Sequence, residues 1–175
     1  GYTGEKGVEI FVPNEKAANL WSDLIKKGEE FGVQAIGLGA RDTLRTEMKY
    51  SLYGNEITDH TNPIEAGLGW VVKLEKGDFI GREFVQKMKE NGPKRKLIGF
   101  KMLERGIPRH DYKLLSLDGE EVGVVTSGTM SPTLDEAVGI GYLREDLSKV
   151  GQEFFVEIRG RKIKAHVVPT PFIKK

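Results

Sequence analysis

The sequence has 175 residues, with 27 Lys and Arg against 26 Asp and Glu, which gives a formal net charge of +1 with neutral histidines. That balance excludes a strongly basic nucleic-acid-binding arm and a strongly acidic tail. With 38% hydrophobic and 30% charged residues and no cysteine, the composition is that of a soluble globular chain of one to two domains that forms no disulfide, thiolate metal site or iron–sulfur cluster.

The sequence shows no spacing of metal ligands, no membrane-spanning run and no export signal. His60, His110 and His166 lack the spacing of metal ligands. No run approaches the roughly 18 apolar residues of a membrane span, and no signal peptide opens the chain. Because the chain begins at Gly1, without Met and in turn-like sequence, we expect a piece of a longer protein.

The first third of the chain predicts short strands and two helices. A β-rich run over 8–12 ends at Pro13, and a helix follows over 14–31 with Asn14 as its N-cap and Gly32 as its stop. A second short strand is predicted over 33–36 and a second helix over 41–52. The side chains expected to face the core of these helices are Ala18, Trp21, Leu24, Ile25, Leu44, Met48 and Leu52.

The middle of the chain predicts a polar loop over 55–67, a strand over 68–74 and a short helix over 81–91. In that helix Phe84, Val85 and Met88 are expected to point inward. Gly92 and Pro93 then form a strong break.

After the break the pattern changes to short β-like runs separated by turn signals. Hairpins are indicated at 118–119 (Asp-Gly) and 159–160 (Arg-Gly). We therefore predict an α+β part over 1–93, followed by a small antiparallel β-barrel over 94–175, although a sandwich is compatible with the same runs. The strands are expected at 96–103, 113–117, 121–126, 139–143, 154–158 and 162–168.

Three motifs resemble known functional sites but lack the residues that those sites need. The Gly-Tyr-Thr-Gly-Glu turn at 1–5 lacks the Lys of a P-loop and precedes a strand instead of a helix. The Gly-Leu-Gly-Ala-Arg run at 37–41 lacks the third glycine of a dinucleotide fingerprint. The run over 126–132 is not a nucleophile elbow, so we interpret it as a hydroxyl-rich turn.

Glu9 and Arg41 each allow two interpretations. Glu9 lies inside the predicted strand over 8–12, where simple alternation places it on the solvent face. Alternatively its carboxylate points into a pocket and accepts two N–H bonds from an aminopyrimidine or pterin edge. Arg41 opens a helix, where a cation is disfavoured. It either pairs with Asp42 or Glu47, or serves as a fork for a carboxylate or an oxygen-rich ring.

A basic turn, Arg-Gly-Ile-Pro-Arg-His, occupies residues 105–110. Its charges are either solvated in an exposed loop or form a clamp for an anion or substrate at the junction of the two parts.

These motifs also carry a family resemblance. Five segments recur in the same order in the aminomethyltransferase, or T-protein, family of the glycine cleavage system, and the chain resembles roughly the C-terminal half of such a protein, up to about Phe172. The segments lie at 1–10, 37–45, 52–55, 63–68 and 125–132.

The resemblance implies that the protein binds tetrahydrofolate. The family transfers a methylene carbon to that folate from an aminomethyl group on the lipoyl arm of the H-protein, with release of ammonia. By resemblance Glu9 binds the pterin, Arg41 and Tyr2 contact the folate, Arg109 takes part in catalysis or closes the site, and Lys174 contacts ligand. The family's central catalytic Asp lies outside this sequence, so we expect this chain alone to be inactive.

The resemblance also implies partners and a location. The expected partners are the lipoylated H-protein and tetrahydrofolate, with no nucleic acid, membrane or metal, in a bacterial cytoplasm or a mitochondrial matrix. A docking rim for the H-protein could use the basic runs at 94–96 or 26–27, which are otherwise ordinary solvated faces.

Two alternatives share the resemblance. The folate-binding halves of sarcosine and dimethylglycine dehydrogenases, and some demethylases, keep the same motifs with another carbon donor. A non-catalytic folate-binding family that assists iron–sulfur cluster maturation carries a Cys where this chain has Asp78.

Overall fold

The computed structural model describes residues 1–174, which form three α-helices followed by a closed β-barrel. The helices are α1 (Asn14–Gly28), α2 (Leu38–Glu47) and α3 (Arg82–Asn91). Short 3-10 turns occur at Glu29–Phe31, Gly69–Val71, Leu74–Lys76 and Glu145–Leu147. No helix in the described part of the chain is long and apolar enough to cross a membrane.

The barrel confirms the predicted fold class of an α+β segment followed by a small antiparallel barrel. Its strand order is β1-β4-β3-β2-β5-β6, and β6 pairs back with β1 to close the sheet. The two predicted hairpins join β2 to β3 and β5 to β6. The strands are β1 (Arg95–Met102), β2 (Lys113–Leu115), β3 (Glu121–Ser131), β4 (Glu136–Arg144), β5 (Glu153–Ile158) and β6 (Arg161–Val168).

The main hydrophobic core lies inside this barrel. Phe100 and Phe154 meet edge to face with ring centroids 5.4 Å apart, and both are fully buried. Gly139 makes room for that pair, because a Cβ there would lie 2.2 Å from the Phe100 ring. Around them pack Leu114, Val125, Leu143, Val156, Ala165 and Val167.

The three strands predicted before the barrel are wrong. Residues 8–12 and 33–36 are irregular, and 68–74 contains 3-10 turns. A strand needs a neighbour to satisfy its N–H and C=O groups. In the described part of the chain the six barrel strands pair only with one another, so these β-rich runs have no ladder to join.

The helices are confirmed in place, but their predicted inward faces are confirmed only in part: Val85 is buried in α3, whereas two aromatic residues are not. Asn14 is the first helical residue of α1, with Pro13 at the N-cap position, and Gly32 ends the segment in a left-handed conformation. Trp21 is 57% exposed and Phe84 is 59% exposed, although both were expected to face the core. Within residues 1–174 no apolar layer covers these faces.

Helix α2 differs most from its prediction. It runs over Leu38–Glu47 instead of 41–52, and Lys49 follows it with a left-handed φ of 54°. Its buried residues are Arg45, Thr46 and Glu47, not the predicted apolar stripe. The polar face of this helix is therefore the face that packs on the barrel.

The hydroxyl-rich run over 126–132 is a strand and not a turn over most of its length. Strand β3 continues to Ser131, beside β4, with a register shift between Val125 and Ser127. Four hydroxyl residues of this stretch are buried: Thr126, Ser127, Thr129 and Ser131.

Candidate functional site

Tyr2, Arg41, Tyr50 and Ser51 form a compact group, here called the Tyr2 cluster. The Arg41 guanidinium carbon lies 4.7 Å from the centroid of the Tyr2 ring. The Tyr50 ring stacks on Tyr2 at 6.1 Å between centroids with 28° between planes. The Tyr2 hydroxyl donates a 2.8 Å hydrogen bond to the carbonyl of Ser51. Two residues predicted from the sequence, Tyr2 and Arg41, are thus in direct contact.

The Arg41 guanidinium is available to bind an anion or an oxygen-rich ring. No carboxylate within residues 1–174 lies within 4 Å of it, so of its two interpretations the ion pair with Asp42 or Glu47 is wrong. Asp42 instead accepts hydrogen bonds from Arg45, and Glu47 accepts one from Ser131. The side chain is exposed, and its guanidinium packs over the Tyr2 ring in a cation–π contact.

Burial raises the pKa of the Tyr2 hydroxyl above its ordinary value, partly opposed by the positive charges of Arg45 and Arg41. The group is therefore neutral at physiological pH and serves as a hydrogen-bond donor. Its bond to Ser51 fixes the ring plane under Arg41.

A buried ion-pair network lies beneath the Tyr2 cluster. Arg45 and Glu56 are each 1% exposed, and the Arg45 Nη1 donates to Glu56 Oε2 at 2.7 Å. The Arg45 Nε donates to Asp42 Oδ1 at 2.7 Å, and its Nη2 donates to the Ser127 hydroxyl at 2.7 Å. Glu56 also accepts from the backbone N–H of Leu52 at 2.9 Å. The pair is satisfied on both sides, as a buried charge must be.

The barrel provides several of the partners of this network. Thr126 Oγ1 donates to Glu56 Oε1 at 2.7 Å, and the Tyr142 hydroxyl donates to the carbonyl of Glu56 at 2.8 Å. The Asn55 amide donates to the hydroxyl of Ser127 at 3.0 Å. Helix α2 and the following loop are therefore attached to the barrel by polar contacts.

Glu9 and Lys174 do not join the Tyr2 cluster. Glu9 is exposed in an irregular segment, and no hydrogen bond or ion pair is formed by its carboxylate within residues 1–174. Lys174 is exposed beyond Phe172, whose backbone N–H donates to the carbonyl of Glu47 at 3.0 Å. Both side chains remain free to meet a ligand, and their roles stay predictions.

Arg109 lines a positively charged groove of about 410 Å³ on the barrel. Its Nη1 donates a long hydrogen bond of 3.4 Å to the carbonyl of Gly128, and no ion pair joins it to Glu9 in the described residues. Four arginines line this groove around a floor that includes Ile158 and Ile163, and none of the four has a carboxylate within 4 Å among residues 1–174. They are Arg105, Arg109, Arg159 and Arg161.

The basic run at 94–96 is less available for docking. Arg95 pairs with Glu65 at 3.0 Å, and Lys96 pairs with Glu145 at 2.8 Å. Asp78, which stands where the iron–sulfur-related family has Cys, is exposed and accepts from the backbone N–H of Phe79. Among the described residues, no group of three or more His, Asp and Glu side chains is placed to hold a metal ion.

Four residues of this arrangement were not predicted from the sequence as parts of a site: Arg45, Tyr50, Glu56 and Ser127. A buried charged pair leaves no apolar periodicity, so the helical pattern pointed to Leu44 instead. The one available signal was the i,i+3 spacing of Asp42 and Arg45 on a helix with few apolar residues.

Two family models match the two parts of the chain. Residues 1–76 match the GCVT N-terminal domain, and residues 95–174 match the glycine cleavage T-protein C-terminal barrel domain. The chain belongs to the glycine cleavage T-protein family. The match to the C-terminal barrel domain, together with the similar solved structure described in the next paragraph, confirms the fold class assigned above.

Similar curated proteins are named aminomethyltransferase. The chain is 59% identical to an aminomethyltransferase of Bdellovibrio bacteriovorus over all of its own length and 49% of that protein. It is 52% identical to an aminomethyltransferase of Bacteroides thetaiotaomicron, over 99% of its length and 48% of that protein. The crystal structure of glycine cleavage system aminomethyltransferase T from Bartonella henselae superposes with a TM-score of 0.92 at 39% identity, covering 99% of this chain and 48% of that one. The chain spans about half the length of the curated relatives it matches.

Proposed function

We propose that this chain is the folate-binding C-terminal portion of a tetrahydrofolate-dependent aminomethyltransferase of the glycine cleavage system. The observation that carries the proposal is the contact between Arg41 and Tyr2, two residues given folate-binding roles by the family resemblance. The aminomethyltransferase names of relatives at 59% and 52% identity support this reaction over a dehydrogenase or a demethylase.

The Tyr2 cluster suits a flat, polar heterocycle with an acidic tail. Tyr2 and Tyr50 offer aromatic surface for stacking, which contributes about 0.5–1.5 kcal/mol per pair beyond burial. Arg41 offers a planar fork with five N–H donors and no carboxylate to compete for them within residues 1–174. Glu9 completes the set in this proposal, accepting N–H bonds from the aminopyrimidine edge of the pterin.

The transfer conserves atoms without an added oxidant or reductant. Folate N5 and N10 each form a bond to the methylene carbon, and the bonds from that carbon to the amine nitrogen and to the lipoyl sulfur break. The two protons lost from N5 and N10 go to the departing ammonia and to the lipoyl thiol. This chain's residues contribute by holding the folate so that its nitrogens meet the carbon, since proximity and electrostatic control are worth several kcal/mol.

The four-arginine groove gives the proposed carrier protein a docking surface. Its unpaired guanidinium groups would attract an acidic face and accelerate encounter. Arg109 lies at the groove and also contacts Gly128 on β3, the strand that supports α2 and the Tyr2 cluster. In this proposal the lipoyl arm reaches the folate along this side of the barrel, and the rim at 94–96 is secondary because Arg95 and Lys96 are paired.

The test uses the protein at its full natural length. Purified protein is mixed with aminomethylated lipoyl carrier protein and tetrahydrofolate, and both ammonia and methylene-tetrahydrofolate are measured. The proposal predicts equal amounts of both products, dependent on both substrates. Folate binding without product from this carrier, but with product from sarcosine or dimethylglycine in the presence of a flavoprotein, would overturn it in favour of the dehydrogenase-type alternative.

A further inference from the structure

The buried hydroxyls of β3 form a row that faces α2 and the loop after it. Thr129 Oγ1 lies 3.1 Å from the hydroxyl of Thr43, and Ser131 Oγ donates to Glu47. Ser127 and Thr126 bind Arg45 and Glu56 as described above. The sequence predicts a hydroxyl-rich turn for this run, and the proposed transfer chemistry does not use it. The row, comprising Thr126, Ser127, Thr129 and Ser131, is here called the hydroxyl row.

Arg45 connects the hydroxyl row to the Tyr2 cluster in two steps. Its Nη2 binds Ser127, while its Nη1 donates to the carbonyl of Tyr50 at 3.3 Å. The backbone N–H of Tyr50 donates in return to the carbonyl of Arg45 at 2.8 Å. Tyr50 supplies the ring that stacks on Tyr2, and the next residue, Ser51, accepts the hydroxyl of Tyr2. The ring that stacks on Tyr2 and the carbonyl that accepts its hydroxyl therefore both depend on the position of Arg45.

Arg41 lies one helical turn before Arg45 on α2. The two residues are four apart on α2 and so lie one above the other on the same side of the helix. Helix α2 makes contact with β3 chiefly through the hydroxyl row. A change in how α2 packs on the barrel would move the Arg41 guanidinium away from the ring of Tyr2.

We propose that Arg45 and Ser127 are positioning residues of the folate site, through which the barrel holds Arg41, Tyr50 and Tyr2 in their binding arrangement. This inference rests on the proposed function. Neither side chain touches the ligand, because Arg45 is 1% exposed and Ser127 is 3% exposed. Their effect on binding passes entirely through the Tyr2 cluster.

The test removes single hydroxyls from the full-length protein and measures tetrahydrofolate binding by calorimetry. Ser127→Ala is expected to raise Kd about tenfold and to raise KM for the folate, with kcat at saturation changed less than twofold. Thr43→Val, which is isosteric, is expected to act in the same direction, and Thr43→Ser, which keeps the hydroxyl, is expected to restore wild-type Kd. These mild variants keep the test valid if Arg45→Ala fails to fold.

Ser116→Ala is the matched control. Ser116 is also buried, 8% exposed, but its hydroxyl accepts from the N–H of Glu120 in the β2–β3 hairpin and does not contact α2. Removing this hydroxyl is expected to leave Kd within twofold of wild type even if the melting temperature falls. A drop in Tm alone therefore does not mimic a positioning effect.

A double-mutant cycle with Arg41→Ala separates positioning from general damage. If Ser127 acts through the Tyr2 cluster, Ser127→Ala has a smaller effect on Kd in the Arg41→Ala background than in the wild type. Fully multiplicative effects, or an unchanged Kd in Ser127→Ala, would overturn the inference while leaving the proposed function intact. Failure of the wild-type protein to bind tetrahydrofolate would overturn the proposed function, and this inference with it.

Discussion

The guanidinium carbon of Arg41 lies 4.7 Å from the centroid of the Tyr2 ring, which joins the start of the chain to the first turn of α2. Because no carboxylate within residues 1–174 pairs with Arg41, its donors are free for a ligand. We therefore expect Arg41→Ala to raise Kd for tetrahydrofolate about tenfold, which corresponds to ~1.4 kcal/mol. Calorimetric titration of the full-length protein measures this change.

Arg161→Ala is the control for that substitution. Arg161 is exposed at the start of β6 and does not contact Tyr2 or α2. An equal loss of folate affinity in the two variants would show that charge in general, and not the Tyr2 contact, governs binding.

Charge reversal at Arg109 is expected to reduce turnover far more than stability. Its side chain is exposed and makes one long hydrogen bond, 3.4 Å, to Gly128. A surface substitution of that kind usually changes the free energy of unfolding by less than about 0.5 kcal/mol. Steady-state assays and thermal melts of Arg109→Glu measure the two quantities side by side.

The neighbouring variant Arg105→Glu distinguishes docking from chemistry. Arg105 lines the same groove, so we expect a higher KM for the carrier protein with little change in kcat. If Arg109→Glu lost rate only in proportion to its loss of melting temperature, a purely structural role would account for it.

Breaking the buried pair of Arg45 and Glu56 is expected to be strongly destabilising. Both side chains are 1% exposed, and Glu56→Ala would leave the guanidinium without its buried counter-charge. Loss of one partner of a buried pair typically costs about 3–5 kcal/mol. In a chain of this size that corresponds to a fall in Tm of roughly 6–20 °C. Differential scanning calorimetry measures it.

Two further variants serve as comparisons for Glu56→Ala. Glu145→Ala breaks the exposed pair with Lys96 and should barely change Tm. The apolar double variant Arg45→Met with Glu56→Leu should recover part of the loss, since it removes both charges together. A Tm within about 2 °C of wild type for Glu56→Ala would contradict the role given to this pair.

Tyr142 is expected to make stability depend on pH in the alkaline range. Burial, with the nearby charge of Glu65, raises its pKa to about 12, and its hydroxyl donates to the carbonyl of Glu56. The unfolded chain loses this proton near pH ~10. The contribution of the neutral hydroxyl is therefore complete below that pH and is lost as the pH rises towards 12.

Tyr142→Phe tests this sign by urea unfolding at pH 8 and at pH 11.5. At pH 8 the variant should be less stable than wild type by about 1 kcal/mol, the usual net worth of one hydrogen bond. At pH 11.5 the difference in the free energy of unfolding between wild type and variant should be smaller than at pH 8. A gap that is the same at both pH values would mean that Tyr142 titrates alike in the folded and unfolded chains.

Two hairpins of the barrel could be predicted from the sequence because each joins strands that are neighbours in the chain, whereas the pairing of β1 with β4 and β6 and of β2 with β5 is long-range. Asp118 with Gly119, and Arg159 with Gly160, set hairpins whose partners lie next in the chain. The early β-rich run at 8–12 shows the opposite case, since its residue types favour a strand but no described strand pairs with it. A propensity becomes a strand only where a neighbour supplies hydrogen bonds.

The candidate site could be predicted only in part. Tyr2 and Arg41 were identified through the motifs that carry the family resemblance, and the structure places them in contact. Arg45 and Glu56 were not predicted, because the position of a buried charge depends on its tertiary partners and not on the periodicity of the sequence. One such partner of Arg45 is Ser127, which lies 82 residues away in the chain. Sequence patterns report which faces avoid water, and they do not report which polar groups meet.

The measurement that tests the central claim most directly is calorimetric titration of tetrahydrofolate into the full-length protein, with Glu9→Ala and Glu15→Ala compared. Glu9 and Glu15 are both exposed, but only Glu9 is proposed to hold the pterin. We predict saturable one-site binding that Glu9→Ala weakens at least tenfold and Glu15→Ala leaves unchanged. Absence of binding by the wild-type protein, or equal affinity in Glu9→Ala, would contradict a folate site built on these residues.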